Sequence, residues 1–296
     1  MTTQVIPDAN LPRLRGGRWW AEVGWKHVFA VLFVLTFVLM PLLYILSASL
    51  NPGGTLTGSN NLFSSVSTKN YVELFGTNFP KWVVNSFVVS GASAIGTVVM
   101  AAAAAYAFSR FRFKGQRGGL TALLIIQMFP QMLAFVAIFL LLLTLGDVFP
   151  GLGIGSHLNL IFVYLGGALG ANTFLMYGFF NTIPMELDEA AKIDGATHAQ
   201  IFWGIVMRLV TPILAVVGLL SFVGTYGEFI LARIVLPRSE DYTLAVGLYV
   251  WAADERNAPW SLFSAGAVIA AVPIIVLFMF LQKYIASGLT AGGVKG

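Results

Sequence analysis

Glu189, Ala190, Ala191, Lys192, Ile193, Asp194 and Gly195 form a short polar stretch between two long apolar runs. It holds no nucleophile beside a base and no metal-ligand spacing, so its chemistry is non-covalent: a surface helix that another protein can grip, or a solvated connector. The rest of the chain adds no reaction chemistry. It has no G-x-x-x-x-G-K-[ST] phosphate loop, no G-x-S-x-G nucleophile elbow and no cysteine. His27, His157 and His198 are scattered without an H-E-x-x-H pair, so a histidine metal site has no support. The chain therefore reads as a non-catalytic protein whose energy source, if it has one, sits on another chain.

The elements around that stretch belong in a membrane. Hydrophobic residues make up 57% of the chain and charged residues 10%, with a mean hydropathy of +0.82, far from a soluble domain. The 24 Phe and 31 Gly suit a lipid-embedded helical bundle, bulky outside and small at its contacts. The apolar runs are continuous rather than alternating, which argues against a β-barrel. An all-α protein with six spans is expected, at Val28 to Leu50, Trp82 to Phe108, Leu120 to Leu145, Asn159 to Phe180, Ile205 to Leu231 and Leu262 to Ala286. The first run is longer than a signal-peptide core and lacks an A-x-A site, so it is read as a retained span.

Basic residues orient the bundle, because cytoplasmic loops hold the excess of Lys and Arg. Twelve fall on one side, including Arg13, Arg15, Arg18, Lys26, Arg110, Arg112, Lys114, Arg117 and Lys192; five, including Lys69, Lys81, Arg233 and Arg238, fall on the other. This puts both termini and the Glu189 segment in the cytoplasm. Topology accounts for the net charge of +4, and no nucleic-acid partner is needed.

Within the segment, Pro184 suits a first helical turn, and Glu186, Asp188 and Glu189 place negative charge at the positive end of the helix dipole. Gly195 closes the helix, and Thr197 is a candidate N-cap for a second one. Ala190 and Ala191 are small enough to admit a partner's backbone.

These residues resemble the cytoplasmic EAA loop of the permease subunits of binding-protein-dependent ATP-driven importers. That pattern runs Glu-Ala-Ala, three residues, Gly, nine residues, Ile, one residue, Leu-Pro. Glu189, Ala190, Ala191, Gly195 and Ile205 match it in register, while Met207-Arg208 stands in place of Leu-Pro. The missing proline implies a second helix that enters the membrane without the usual break, with Pro212 able to supply a bend of its own. The resemblance covers roughly Lys81 to Ala286. Phe129-Pro130, Tyr164-Leu165-Gly166-Gly167, Tyr242 to Gly247 and the tail Gly288 to Gly296 are similar to the smaller permease subunit of maltose and maltodextrin importers.

The resemblance implies a type I importer permease, with a cytoplasmic tail at 1–27, a first helix and outer loop at 28–80, a five-helix core at 81–286 holding the coupling helix at 184–195, and a cytoplasmic tail at 287–296. Glu189, Ala190, Ala191, Asp194 and Gly195 would contact an ATPase subunit, and Gly292, Gly293, Val294, Lys295 and Gly296 would reach between two such subunits. Ala252, Ala253, Asp254, Glu255, Arg256 and Asn257 would meet an extracytoplasmic sugar-binding protein, although an ordinary loop tip explains them equally. A second, non-identical permease subunit would complete the pathway in the inner membrane. ATP and Mg would be bound by the ATPase partners, with no cofactor in this chain.

Polar groups inside the spans are few. Glu228, the one acid within them, is read as a pathway or gate residue, or as solvated or paired with Arg233. Asn85, Gln127 and Asn172 suit a neutral, hydroxyl-rich solute or interhelical hydrogen bonds. Pro130 is expected to kink the third span, and Gly166 with Gly170 to make a small-residue packing face. A secondary carrier or channel is the competing class, but no inverted repeat of broken helices is evident between the two halves.

Overall fold

The computed structural model describes residues 20, 24–52, 62–253 and 258–291. Twelve helices are numbered here: α1 Trp25–Leu50, α2 Lys69–Leu74, α3 Phe79–Arg110, α4 Gln116–Gln127, α5 Gln131–Val148, α6 His157–Phe180, α7 Met185–Ile193, α8 His198–Leu209, α9 Thr211–Tyr226, α10 Ile230–Val235, α11 Leu244–Ala253 and α12 Trp260–Ala291. No strand occurs among the described residues. Among the described residues four helices are long and apolar enough to cross a membrane alone (α1, α3, α6 and α12), and counting each of two bent pairs as one span gives up to six.

Those two pairs correct the expected third and fifth spans. The third is cut at Met128–Pro130 into α4 and α5, which diverge by 96°. Pro130 has no N–H to continue the helical ladder, so the change of direction is a break rather than a kink. The fifth is cut at Val210, where α8 and α9 meet at 80°. An unbroken entry is therefore wrong, and the chemistry of the break is visible. Pro212, in the first turn of α9, cannot donate to the carbonyl of Arg208; the Thr211 hydroxyl donates to that oxygen instead, at 2.8 Å. The bend that Pro212 was able to supply is thus made by the Thr-Pro pair.

At about 1.5 Å per residue, the 32 residues of α3 run about 48 Å and form the spine of the bundle. On one side α3 packs against α6, which in turn holds α4; on the other it packs against α9, then α12, then α1. Small residues make the close contacts. Ala101, Ala102, Ala105, Ser86, Ser90 and Ser93 of α3 are all buried. Apolar packing gathers into two clusters. One contains Phe79, Trp82, Leu160, Tyr226 and Leu244, and the other, at the α7 end, contains Tyr106, Phe180, Ile201, Val206 and Val217.

The connection between the expected fifth and sixth spans is folded as far as Ala253. It contains α10, a 3-10 turn at Ser239–Asp241 and the apolar α11. The indole of Trp82 donates to the carbonyl of Ser239 at 2.6 Å, and the Asn85 amide donates to the carbonyls of Glu240 and Tyr242 at 3.1 and 3.0 Å. Gly247 lets α11 lie on the buried Trp82 ring, because a Cβ there would stand 2.1 Å from it. This cap closes the end of the bundle opposite α7.

Candidate functional site: a docking helix and an intramembrane cavity

Helix α7 is built to be presented. The chain leaves α6 at Phe180, turns through Pro184 and re-enters a helix with Glu186 and Asp188 in its first turn and Lys192 in its last, the order the helix dipole favours. Its end is a Schellman motif. The N–H of Gly195 donates to Lys192 O at 3.0 Å, and that of Ala196 donates to Ala191 O at 2.9 Å. Gly195 sits at φ +84°, a left-handed value that glycine adopts without the Cβ penalty. The next helix begins with a reciprocal capping box, in which Thr197 Oγ1 accepts from Gln200 N and Gln200 Oε1 accepts from Thr197 N.

One face of α7 is anchored by a charge pair absent from the sequence expectations. Arg110, the last residue of α3, meets Asp188 with Nε 2.7 Å from Oδ2, and the two side chains are only 4% and 6% exposed. The same guanidinium donates to the carbonyls of Phe180 and Ile183 at 3.2 Å each. Arg110 therefore ties three elements together: the end of α3, the end of α6 and the first turn of α7. Neither residue was singled out from sequence, where Arg110 was one of several topology charges and Asp188 one of three dipole charges. The two are 78 positions apart, and no spacing rule links them.

The outer face of α7 is open. Glu189, Ala190, Asp194 and Gly195 are exposed, together with Met185 and Leu187, and Ile193 is 87% exposed. A small residue and large apolar ones edged by carboxylates suit a partner's groove. Ala191 differs from the expectation: it is buried against the bundle and is small for the sake of its own chain.

Between the helix pair α4–α5 and the helices α6 and α9 lies a cavity of about 640 Å³. Gln127, Asn172 and Glu228 all line it, with Tyr164, Phe129, Phe135, Ser221 and Thr225. Asn85 does not, being held in the opposite cap. Glu228 lies beyond the end of α9 rather than within a span. Its Oε2 accepts from the Tyr164 hydroxyl at 2.6 Å and from Ala232 N at 3.0 Å, and its Oε1 accepts from Leu231 N at 2.8 Å. Arg233 is not its partner; that guanidinium stacks 5.3 Å over the Tyr242 ring. Gly170 is a packing glycine, pressed by α4 at Leu123 and Gln127, whereas Gly166 faces open space in the cavity.

Of the other expected contacts, Ala252 and Ala253 end α11 on the cap. Asp254, Glu255, Arg256 and Asn257, and Gly292, Gly293, Val294, Lys295 and Gly296, lie outside the described residues. No group of acidic and histidine residues able to hold a metal occurs among the described residues.

A helical bundle of up to six spans, with an open-sided, mainly apolar cavity carrying a few polar groups and a helix seated at one end by a buried ion pair, has the architecture of a membrane transport subunit. The family of binding-protein-dependent transport system inner membrane components matches residues 97–291, and the chain belongs to it. The galactooligosaccharides transport system permease protein GanQ of Bacillus subtilis (strain 168) is 41% identical over 268 residues, covering 89% of this chain and 93% of GanQ. The maltose/maltodextrin transport system permease protein MalG of Vibrio vulnificus (strain YJ016) is 40% identical over 286 residues, covering 92% and 96%. A crystal structure of a bacterial ABC transporter involved in the import of the acidic polysaccharide alginate superposes with a TM-score of 0.76 at 22% identity, over 92% of this chain and 98% of that one, and shares the fold.

Proposed function

We propose that this chain is a transmembrane subunit of an ATP-driven importer of neutral oligosaccharides, with maltodextrins as its substrate. The observation that carries the reading is α7, an exposed helix seated on a buried three-way anchor. A connector needs neither the Arg110–Asp188 pair nor an exposed Ile193; a helix that must transmit force needs a rigid seat and a grippable face. The relatives whose names specify maltose and maltodextrin support the sugar assignment. Galactooligosaccharides are the second reading, favoured by the 41% identity to GanQ.

In this reading both termini and α7 are cytoplasmic. Glu189, Ala190, Asp194 and Gly195 contact one of two ATPase subunits, which bind ATP and Mg, and the tail from Gly292 to Gly296 reaches between them. A second, non-identical permease subunit completes the pathway. An extracytoplasmic binding protein meets the cap side near Ala252 to Asn257 and delivers sugar. ATP-driven closure of the ATPase pair carries α7 along, and Arg110 passes the movement to α3 and α6, shifting the bundle between two states.

The test begins with extraction of the tagged chain in mild detergent and identification of every stoichiometric companion by mass spectrometry. The purified assembly, with its binding protein, is then assayed in proteoliposomes for ATP-dependent uptake of maltotriose and of a galactotriose. Recovery with an ATPase and a second permease, and uptake of maltotriose in preference, is expected. A chain that purifies alone and moves solute down a gradient without ATP overturns the reading.

A further inference from the structure

We propose that the α3–α4 turn and helix α8 form one docking surface for anionic phospholipid headgroups; only the side of the membrane it faces rests on the importer reading above. The turn follows directly on Arg110 and reads Phe111, Arg112, Phe113, Lys114, Gly115, with Arg117 in the first turn of α4. All of these residues are exposed, Phe113 by 46%. Helix α8 stands at 80° to α9, so where α9 crosses the bilayer α8 runs close to its plane. It displays Trp203, which is 55% exposed, and Arg208. The two elements are packed together, with the Phe111 ring edge-on to His198 at 5.0 Å.

Charge complementarity names the occupant. Arg112, Lys114, Arg117 and Arg208 have no carboxylate partner among the described residues. No Asp or Glu occurs between Glu73 and Asp147, nor between Asp194 and Glu228, so neither element brings a counter-charge of its own. A topology signal requires only that basic residues stay on one side of the membrane. It does not require aromatic residues between them or a second exposed element packed alongside. Cations alternating with exposed rings match a lipid surface in both its parts, because phosphates attract the cations and the boundary between headgroups and acyl chains takes the rings.

The depth of the surface is marked on α4. Its first turn carries Arg117, whereas Ile125 and Ile126, about 12 Å further along the helix, are 60% and 69% exposed. The change from charged to apolar exposure therefore falls beside the turn, at the level where aromatic side chains concentrate in membrane proteins. Near an anionic leaflet each such cation shifts occupancy about fivefold, so the three on the turn make a preference on the order of a hundredfold. Arg110 precedes the turn and seats α7, so headgroups held here brace the α3 end of that anchor.

The experiment places the tagged chain, with its stoichiometric companions, in mixed-lipid nanodiscs at low salt. Crosslinks from photoactivatable phosphatidylglycerol and phosphatidylcholine are then mapped by mass spectrometry. Phosphatidylglycerol should label peptides spanning 111–117 and 203–208 at least about tenfold more than phosphatidylcholine, and about 0.5 M salt should erase most of the difference. Arg112→Gln with Lys114→Gln and Arg117→Gln should bring the yield down to the phosphatidylcholine level. Arg112→Lys with Lys114→Arg and Arg117→Lys should keep it, and Lys81→Gln, at the opposite end of α3, should leave it unchanged. Equal yields from the two lipids in the unsubstituted assembly, or a preference that survives the triple Gln substitution, would overturn the proposal. Release of a companion protein by that substitution, with the chain's thermal midpoint unchanged, would overturn it too by assigning the patch to a protein contact. ATP-driven uptake by the complete system tests the importer reading separately. Uptake without a lipid preference sinks the surface alone, and a lipid preference without ATP-driven uptake sinks the importer alone.

Discussion

Replacing Arg110 with methionine removes the cation that seats α7 and keeps most of the apolar stem. Both charges of the pair lie below a tenth exposure, so water cannot take over for Asp188 as it would at a surface pair. Breaking a buried ion pair from one side costs about 3–5 kcal/mol, because the remaining charge is stranded. The two carbonyl contacts, at Phe180 and Ile183, come from the same charged guanidinium and can only add to that loss. With each 1.4 kcal/mol a factor of ten, a loss of about 4 kcal/mol raises the undocked population of α7 roughly a thousandfold. The assay is sugar transported per ATP hydrolysed in proteoliposomes, alongside hydrogen exchange of the α7 amides. Arg110→Met should accelerate exchange in residues 185–193 and lower the transport ratio while ATP hydrolysis continues. The double substitution Arg110→Met with Asp188→Leu removes the stranded charge and should restore much of the protection. Unchanged exchange and an unchanged transport ratio in Arg110→Met would refute the claim that this pair seats the helix.

Three further outcomes follow from the geometry. Gly195→Val places a β-branched residue at φ +84°, at a cost of about 1–2 kcal/mol; it should uncouple ATP hydrolysis from uptake while leaving membrane insertion intact, and Gly195→Asn should be milder, as paired uptake and ATPase assays would show. Gly247→Ala drives a methyl into the buried Trp82 ring and should destabilise the cap by about 1–3 kcal/mol, read as a lower thermal midpoint, with Gly178→Ala as an unobstructed control. Tyr164→Phe removes the hydroxyl bonded to Glu228 at 2.6 Å, a contact worth about 1.5–3 kcal/mol, and should speed hydrogen exchange at the start of α10, measured at Leu231 and Ala232.

Sequence patterns revealed the continuous spans and the short helix α7 well, because both depend on local composition. Trp25–Leu50 and His157–Phe180 begin within a few residues of the apolar runs that announced them, and the close of α7 at Gly195 follows from glycine alone. The broken spans were harder, since an apolar run looks the same whether it crosses straight or turns by 80°. Pro130 and Pro212 marked both places, but the size of the turn depends on what the second segment packs against. The least legible contacts join residues far apart in the chain. Arg110 with Asp188, Tyr164 with Glu228 and Trp82 with Ser239 each require knowing which helix ends are neighbours. Gln127 and Asn172 were noticed as polar residues in apolar surroundings, yet only the folded chain brings them to one cavity with Glu228.

Helix α6 has a double membership that gives the molecule the character of a connecting rod. Its last residue, Phe180, is clamped by Arg110 beside α7, and Tyr164, sixteen positions earlier on the same uninterrupted helix, forms part of the cavity wall. At about 1.5 Å per residue that arm is about 24 Å long, so a tilt of about 5° about the clamped end sweeps the cavity wall by about 2 Å. A displacement of that size is enough to make or break the hydrogen bond between Tyr164 and Glu228, so a stroke delivered at one end of α6 would be felt as a change of shape in the cavity wall without any intermediate hinge.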